Sequence, residues 1–301
     1  MLESFFIGKI IKNTSQNIMS HTYRLLFDCP DQVGLVSEVT SFISFLSGWI
    51  TESSQHSEEA NKWFYSRIEI KAETLPFDID GFRQSFSPLA EKFSMNWSIV
   101  DSQQPKKVAL FVSKASHCLS DLLDRWRSGD LPCEISCVIA NHETLRSPVE
   151  CYDIPFHCVP VDKHNKVQAF DEMQTIVDNY QAETIVLARY MQILPEDFCQ
   201  RYRHQVLNIH HSFLPSFIGA KPYHQAFDRG VKLIGATCHY VTTDLDEGPI
   251  IDQDIQRVNH SNKVEDLVRL GKDIEKQVLA RGLRYHLEDR IMVDGNKTII
   301  F

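Results

Sequence analysis

A polar segment carrying a proline, Asp101-Ser-Gln-Gln-Pro-Lys-Lys107, splits the chain into two stretches whose apolar residues recur with different logic. Before it, strand-like and helix-like runs follow one another in the order βαββαβ; after it, strands and helices alternate. One continuous sheet does not accommodate such a switch, so the boundary between two domains is placed there. Residues 1–20 read as a loose extension, 21–101 as a first domain, 102–107 as the linker and 108–301 as a second domain.

In the first domain, His21 to Asp28 reads as a strand ending at the Pro30-Asp31 turn signal. Leu35, Val36, Val39, Phe42, Ile43 and Leu46 then repeat at helical spacing up to Gly48, where a left-handed cap is expected. Trp49 to His56 and Trp63 to Lys71 supply two strands. A helix carrying Ile79, Phe82, Phe86, Leu89 and Phe93 leads into a last strand, Asn96 to Val100. This order predicts an antiparallel sheet with both helices on one face, a ferredoxin-like arrangement. With Pro-Asp-Gln-Val-Gly-Leu at 30–35 it resembles an ACT domain. The resemblance implies edge pairing between chains, hence a homo-oligomer, and either a ligand-free assembly role or an amino-acid effector site.

The second domain predicts strands at Val108 to Ser113, Glu134 to Ala140, Thr184 to Arg189, Gln205 to His210 and Lys232 to Tyr240. With helices between them, they imply an α/β, Rossmann-like domain with a mostly parallel sheet, buried on both faces where apolar runs are unbroken. A long helix from about Lys263, opened by a capping box at Asn262 to Glu265, should pack across it. At 301 residues, with 43% hydrophobic and 24% charged residues, the chain has room for two cores. It holds no apolar run long enough to cross a membrane. A net charge of -9 argues against a nucleic-acid footprint. Eight scattered cysteines and an opening segment broken by Lys9 and Lys12 predict a reduced, cytoplasmic protein without a signal peptide.

The chemistry concentrates in Val206-Leu-Asn-Ile-His-His-Ser-Phe-Leu-Pro-Ser-Phe-Ile-Gly219. If Leu207 to His210 is a strand, its period of two puts Asn208 and His210 on one face at the carboxyl end, where open α/β sheets place their sites. Downstream, Gly235 to Val241 reads as another strand, followed by the acid-rich turn Thr242-Thr-Asp-Leu-Asp-Glu-Gly-Pro249. Singly, an Asn or His at a strand end commonly serves a turn, and acids beside Gly-Pro are commonly solvated. Together, an amide, an imidazole and a carboxylate can polarise a carbonyl, hold an oxyanion and orient a water, without a metal or covalent intermediate.

Asn208-x-His210, Ser212-x-Leu-Pro215-Ser-Phe and Asp246-x-Gly248, in this order and separation, resemble the signature of the folate-dependent formyltransferase family over residues 108–301. The resemblance makes Asn208, His210 and Asp246 a catalytic trio. It implies that Met191, Gln192, Ile193 and Leu194 hold a pterin, and that the turn Val241, Thr242, Thr243, Asp244 and Leu245 closes over it. His211, Ser212, Gly219 and His224 are supporting candidates. The histidines 210, 211, 224 and 239 lack ligand spacing for zinc, so neither metal nor cofactor is expected. Formyltetrahydrofolate is the implied substrate.

The acceptor separates the remaining readings. The related transferases cradle a phosphate on a Gly-rich loop after their first strand, and here that loop, Ser113-Lys-Ala-Ser-His-Cys118, has no glycine. His211 stands where the transferases carry proline. Together with the ACT-like front and the runs Asn141 to Arg146, Phe217 to Ala226 and Gly295 to Ile300, this makes the chain from about residue 21 resemble the formyltetrahydrofolate deformylases. The resemblance implies hydrolysis of 10-formyltetrahydrofolate to formate and tetrahydrofolate, supplying formate for purine synthesis and balancing the folate pool. The alternatives are a formyltransferase with an amine acceptor and a non-catalytic folate or amino-acid sensor.

Overall fold

The computed structural model describes residues 21–215 and 222–301, so the expected extension at 1–20 and the candidate Gly219 lie outside the described residues. The first domain runs β1 (Thr22–Pro30), α1 (Leu35–Phe45), β2 (Ile50–Glu58), β3 (Trp63–Lys71), α2 (Ile79–Lys92) and β4 (Asn96–Asp101). Its strands pair antiparallel in the order β2-β3-β1-β4. Leu35, Val39 and Ile43 of α1 and Phe82 and Phe86 of α2 pack on Leu25, Phe27, Ile68 and Ile70 of the sheet. One expectation shifts by a residue. Ser47, at φ 61, takes the left-handed position after α1, while Gly48 is required by close approach, since a Cβ there would lie 2.7 Å from Ile43 Cγ2.

The second domain continues with β5 (Lys106–Val112), α3 (His117–Ser128), β6 (Cys133–Ala140), α4 (Arg146–Glu150), β7 (Phe156–Cys158), α5 (Lys166–Asn179) and β8 (Thr184–Leu187). Then come α6 (Glu196–Arg201), β9 (Val206–His210), α7 (Pro222–Arg229), β10 (Leu233–Tyr240), β11 (Ile250–Arg257), α8 (Val264–Leu287), β12 (Ile291–Asp294) and β13 (Lys297–Ile300). The end of the expected linker, Lys106 and Lys107, is already strand. The sheet order is β11-β10-β9-β8-β5-β6-β7. From β9 to β7 the strands are parallel, as the alternating pattern predicts, but β10 and β11 join antiparallel. The short β7, the edge strand β11 and the β12–β13 hairpin carry no pattern strong enough to be read as strands from sequence.

Alternate residues of β5 enter different cores: Val108, Leu110 and Val112 meet α3 and α8, while Ala109 and Phe111 meet α5 and α6. That double burial leaves function to the strand ends. α8 starts one residue later than the predicted box, with Asp266 rather than Glu265 accepting from the N-cap nitrogen of Lys263 at 3.0 Å. The eight cysteines are all free; five are buried, Cys133 and Cys158 are half-buried and Cys151 is exposed. Among the described residues no helix is long and apolar enough to cross a membrane.

The two domains meet through a charge cluster. Arg67 on β3 is fully buried. It donates to the backbone carbonyls of Asp289 and Glu288, each at 3.0 Å, and pairs with Glu52 at 3.1 Å and Glu69 at 2.6 Å. Arg24 pairs with Glu69 and Asp289, and Lys106 with Asp289. Arg67→Met keeps the volume but strands these partners. Because both carboxylates are partly solvated, the expected loss is about 2 kcal/mol of unfolding free energy, below that of a fully buried pair. Denaturant unfolding followed by fluorescence checks it.

Candidate active site

β9 lies between β8 and β10, and its period of two turns Asn208 and His210 into one cavity at the strand's carboxyl end. β10 runs antiparallel to it, with His239 directly opposite Asn208, so these side chains emerge side by side. Asn208 Nδ2 lies 3.1 Å from His239 Nε2. His239 Nδ1 lies 2.9 Å from the Tyr240 carbonyl, which can only accept, so Nδ1 carries a proton and the Nε2 edge of the ring faces Asn208. That contact fixes which end of the Asn208 amide faces the cavity.

The third member comes from the turn after β10, closed where Tyr240 N donates to Pro249 O at 2.9 Å. Asp246 sits there at φ 57, a left-handed conformation that aspartate tolerates better than most residues. Its Oδ2 is 3.2 Å from His210 Nδ1, and its Oδ1 is 3.7 Å from His239 Nε2. Burial alone would raise the Asp246 pKa, but the hydrogen bond from His210 and the His239 ring beside it outweigh that and hold the carboxyl well below the usual range. His210 is 5% exposed. With Nδ1 engaged, its Nε2 is buried and has no hydrogen-bond partner among the described residues, so it is the ring atom left to meet a reactant.

The cavity measures about 280 Å³. Met191, Gln192, Ile193 and Leu194 and, from the turn after β10, Val241, Thr242, Thr243 and Leu245 are in its lining. Met191 N is held by Ser113 Oγ at 3.0 Å, and Ser113 Oγ donates to Asn141 Oδ1 at 2.7 Å. The glycine-free loop after β5 therefore anchors this wall. Asp244 is not in the lining; its carbonyl accepts from Thr242 Oγ1 and Glu247 N inside the turn. Ser212 is buried outside the lining, its carbonyl accepting from Thr237 Oγ1 at 3.0 Å. His224 is exposed on α7, away from the cavity. The structure adds Leu187, Arg189, Tyr190, Cys199, Ile209 and His239, none of them a site candidate from sequence.

His211 also lines the cavity. Burial, reinforced by nearby Arg189, lowers its pKa to about 4. His286, hydrogen-bonded through both ring nitrogens to Thr184 and Tyr240, is lowered to about 3 by burial and by Lys106. Both imidazoles fold neutral, so below the unfolded value of about 6.5 the unfolded chain binds more protons than the native one. Stability is therefore lost as pH falls through this window. A pH series of thermal midpoints should drop from pH 6.5 toward 4, and His286→Gln should flatten that slope.

Behind Arg189 lies a second buried group. Glu275, 1% exposed, accepts from His117 Nε2 at 2.8 Å and from Tyr223 Oη at 2.6 Å, with Arg189 Nε at 3.3 Å. Burial pushes its pKa up, but the His117 hydrogen bond and the Arg189 charge keep it low. Ligand atoms of His117, Cys118 and Glu275 lie within 4.8 Å of one another. They do not form an open metal site, because the carboxylate already accepts from His117 and Tyr223 and pairs with Arg189, and burial raises the Cys118 thiol well above its usual value.

The family model "Formyl transferase" matches residues 106–283. A formyltetrahydrofolate deformylase of Bacillus subtilis is 47% identical over 279 residues, 92% of this chain and 93% of its own. The chain belongs to the formyltetrahydrofolate deformylase family. A solved member from Pseudomonas syringae pv. tomato superposes with a TM-score of 0.93 at 59% identity, covering 95% of this chain and 96% of that one. Glycinamide ribonucleotide transformylase 1 from Symbiobacterium toebii reaches 0.62 at 28% identity and covers only 65% of this chain. Likeness to the deformylase family thus includes most of the first domain.

Proposed function

We propose that the chain hydrolyses 10-formyltetrahydrofolate to formate and tetrahydrofolate, with Asn208, His210 and Asp246 as its catalytic residues. The observation that carries the reaction is likeness, over more than nine-tenths of both chains, to enzymes named for deformylating this folate. The pterin lies between Met191–Leu194 and the Val241–Leu245 turn, with the formyl carbon toward His210. Ionised Asp246 fixes His210 through Nδ1, helps to orient the attacking water and stabilises the imidazolium that forms as a proton is taken. As the carbonyl oxygen gains charge, Asn208 and protonated His210 donate to it; losing one such donor typically costs about 3 kcal/mol of transition-state stabilisation. The proton then passes to the folate nitrogen, the C–N bond breaks and formate leaves.

Purified protein given 10-formyltetrahydrofolate alone should release formate and tetrahydrofolate in equal amounts. Turnover only with an added amine would favour the transferase reading; folate binding without turnover would favour the sensor. The first domain we read as an ACT-like, ferredoxin-type module of a cytoplasmic homo-oligomer, because among the described residues β2 and β4 leave both edges of its sheet unpaired. Light scattering should give more than one chain; a monomer would overturn that reading. Calorimetric titration with the standard amino acids tests the module for an effector.

A further inference from the structure

Arg189 lines the cavity together with His210 and His211, and its Nε lies 3.3 Å from the Glu275 carboxylate as an ion pair. Arg189 follows β8, His117 opens α3, Tyr223 lies in the first turn of α7 and Glu275 in the middle of α8. Three of these side chains converge on the Glu275 carboxylate. An ionised carboxylate buried this deeply is costly even when paired, and apolar packing would serve the fold as well or better. Arg189 also sits at φ 64, where a long side chain is uncommon and persists only when its surroundings enforce it.

The volume points the same way. Pockets that hold one drug-sized ligand run from about 300 to 1,000 Å³, and this cavity is about 280 Å³. It is of a size for the ring end of a formylfolate with a small nucleophile beside it. The catalytic trio itself does not discriminate. An amine nitrogen can form the bond to the formyl carbon as water does; the folate C–N bond breaks, and the amine's proton passes through His210 to the folate nitrogen. Exclusion of amines has to come from shape.

We propose that Arg189, anchored by Glu275, is a specificity-determining residue that walls off the amine side of the formyl carbon and leaves water as the acceptor. The proposal rests on the hydrolase reading and is tested separately from it. Arg189→Gly removes the side chain and suits the left-handed backbone. Glu275→Gln keeps Arg189 but weakens its anchor. Each full-length variant is given 10-formyltetrahydrofolate with excess glycinamide, a small primary amine, and formate and N-formylglycinamide are quantified by mass spectrometry.

The ratio of the two products does not depend on how much of a variant is folded. Wild type should give formate almost alone. Arg189→Gly should raise the share of formylated amine by at least about tenfold, the discrimination a single steric contact supplies, and Glu275→Gln by less. An unchanged ratio in Arg189→Gly overturns the proposal; should that variant not turn over, an unchanged ratio in Glu275→Gln overturns it instead. Wild type releasing no formate without amine would sink the hydrolase reading itself.

Discussion

Replacing His210 with alanine should lower the rate of formate release by about a thousandfold, the middle of the range for a positioned general acid–base group. The buried Nε2 has no other partner among the described residues, so the substitution removes the atom that takes and returns the proton and one donor to the oxyanion. Folate contacts come mainly from Met191–Leu194 and Val241–Leu245, so KM should change by only a few-fold while kcat collapses. Asp246→Asn preserves shape but removes the charge that favours the imidazolium, and should cost about a hundredfold. Steady-state kinetics on both variants, with circular dichroism to confirm folding, decide the matter. Near-normal turnover in Asp246→Asn would remove Asp246 from the proposed trio.

The contrast between these residues and their neighbours shows where sequence reading succeeds. Asn208 and His210 were legible because a strand's alternation is local: two residues apart means one face, whatever the rest of the chain does. Met191–Leu194 and the turn through Asp246 followed from the family signature. His239 was not legible as a site residue, although it stood in plain view among four histidines. Its place depends on β10 running antiparallel to β9 in a register that sets it opposite Asn208, and alternating strands and helices predict the parallel choice. Arg189 and Glu275 are 86 residues apart, on β8's exit and on α8, and only the packed fold joins them. A signal did exist: Glu275 interrupts the apolar stripe Ile274, Val278 and Leu279, and a carboxylate inside such a stripe needs buried partners. Asp244 and His224 illustrate the converse. Backbone bonding within the turn and the exposed face of α7 leave both outside the cavity lining, which spacing in sequence cannot reveal.

Gly248→Ala should do damage of comparable size by a different route, through the backbone that positions the site. A Cβ on Gly248 would lie 1.8 Å from the Tyr240 carbonyl oxygen and 2.9 Å from its carbon, distances that only backbone movement relieves. Two parts can move. If the Tyr240 carbonyl swings away, His239 Nδ1 loses the acceptor that fixes its tautomer, and Asn208 loses its orientation in turn. If the turn moves instead, Asp246, two residues earlier, is carried off His210 Nδ1, and a displacement of about 1 Å is enough to cost about a hundredfold in rate. Either path also strains the closure between Tyr240 N and Pro249 O, so unfolding free energy should fall by about 3 kcal/mol, toward the upper end for overpacking. The expected pattern is therefore a joint loss of thermal midpoint and kcat, unlike His210→Ala, where the fold survives and only kcat falls. A Gly248→Ala variant with wild-type melting and wild-type turnover would mean that the turn is not held against Tyr240 as described, and Asp246 would lose the geometric basis for its role.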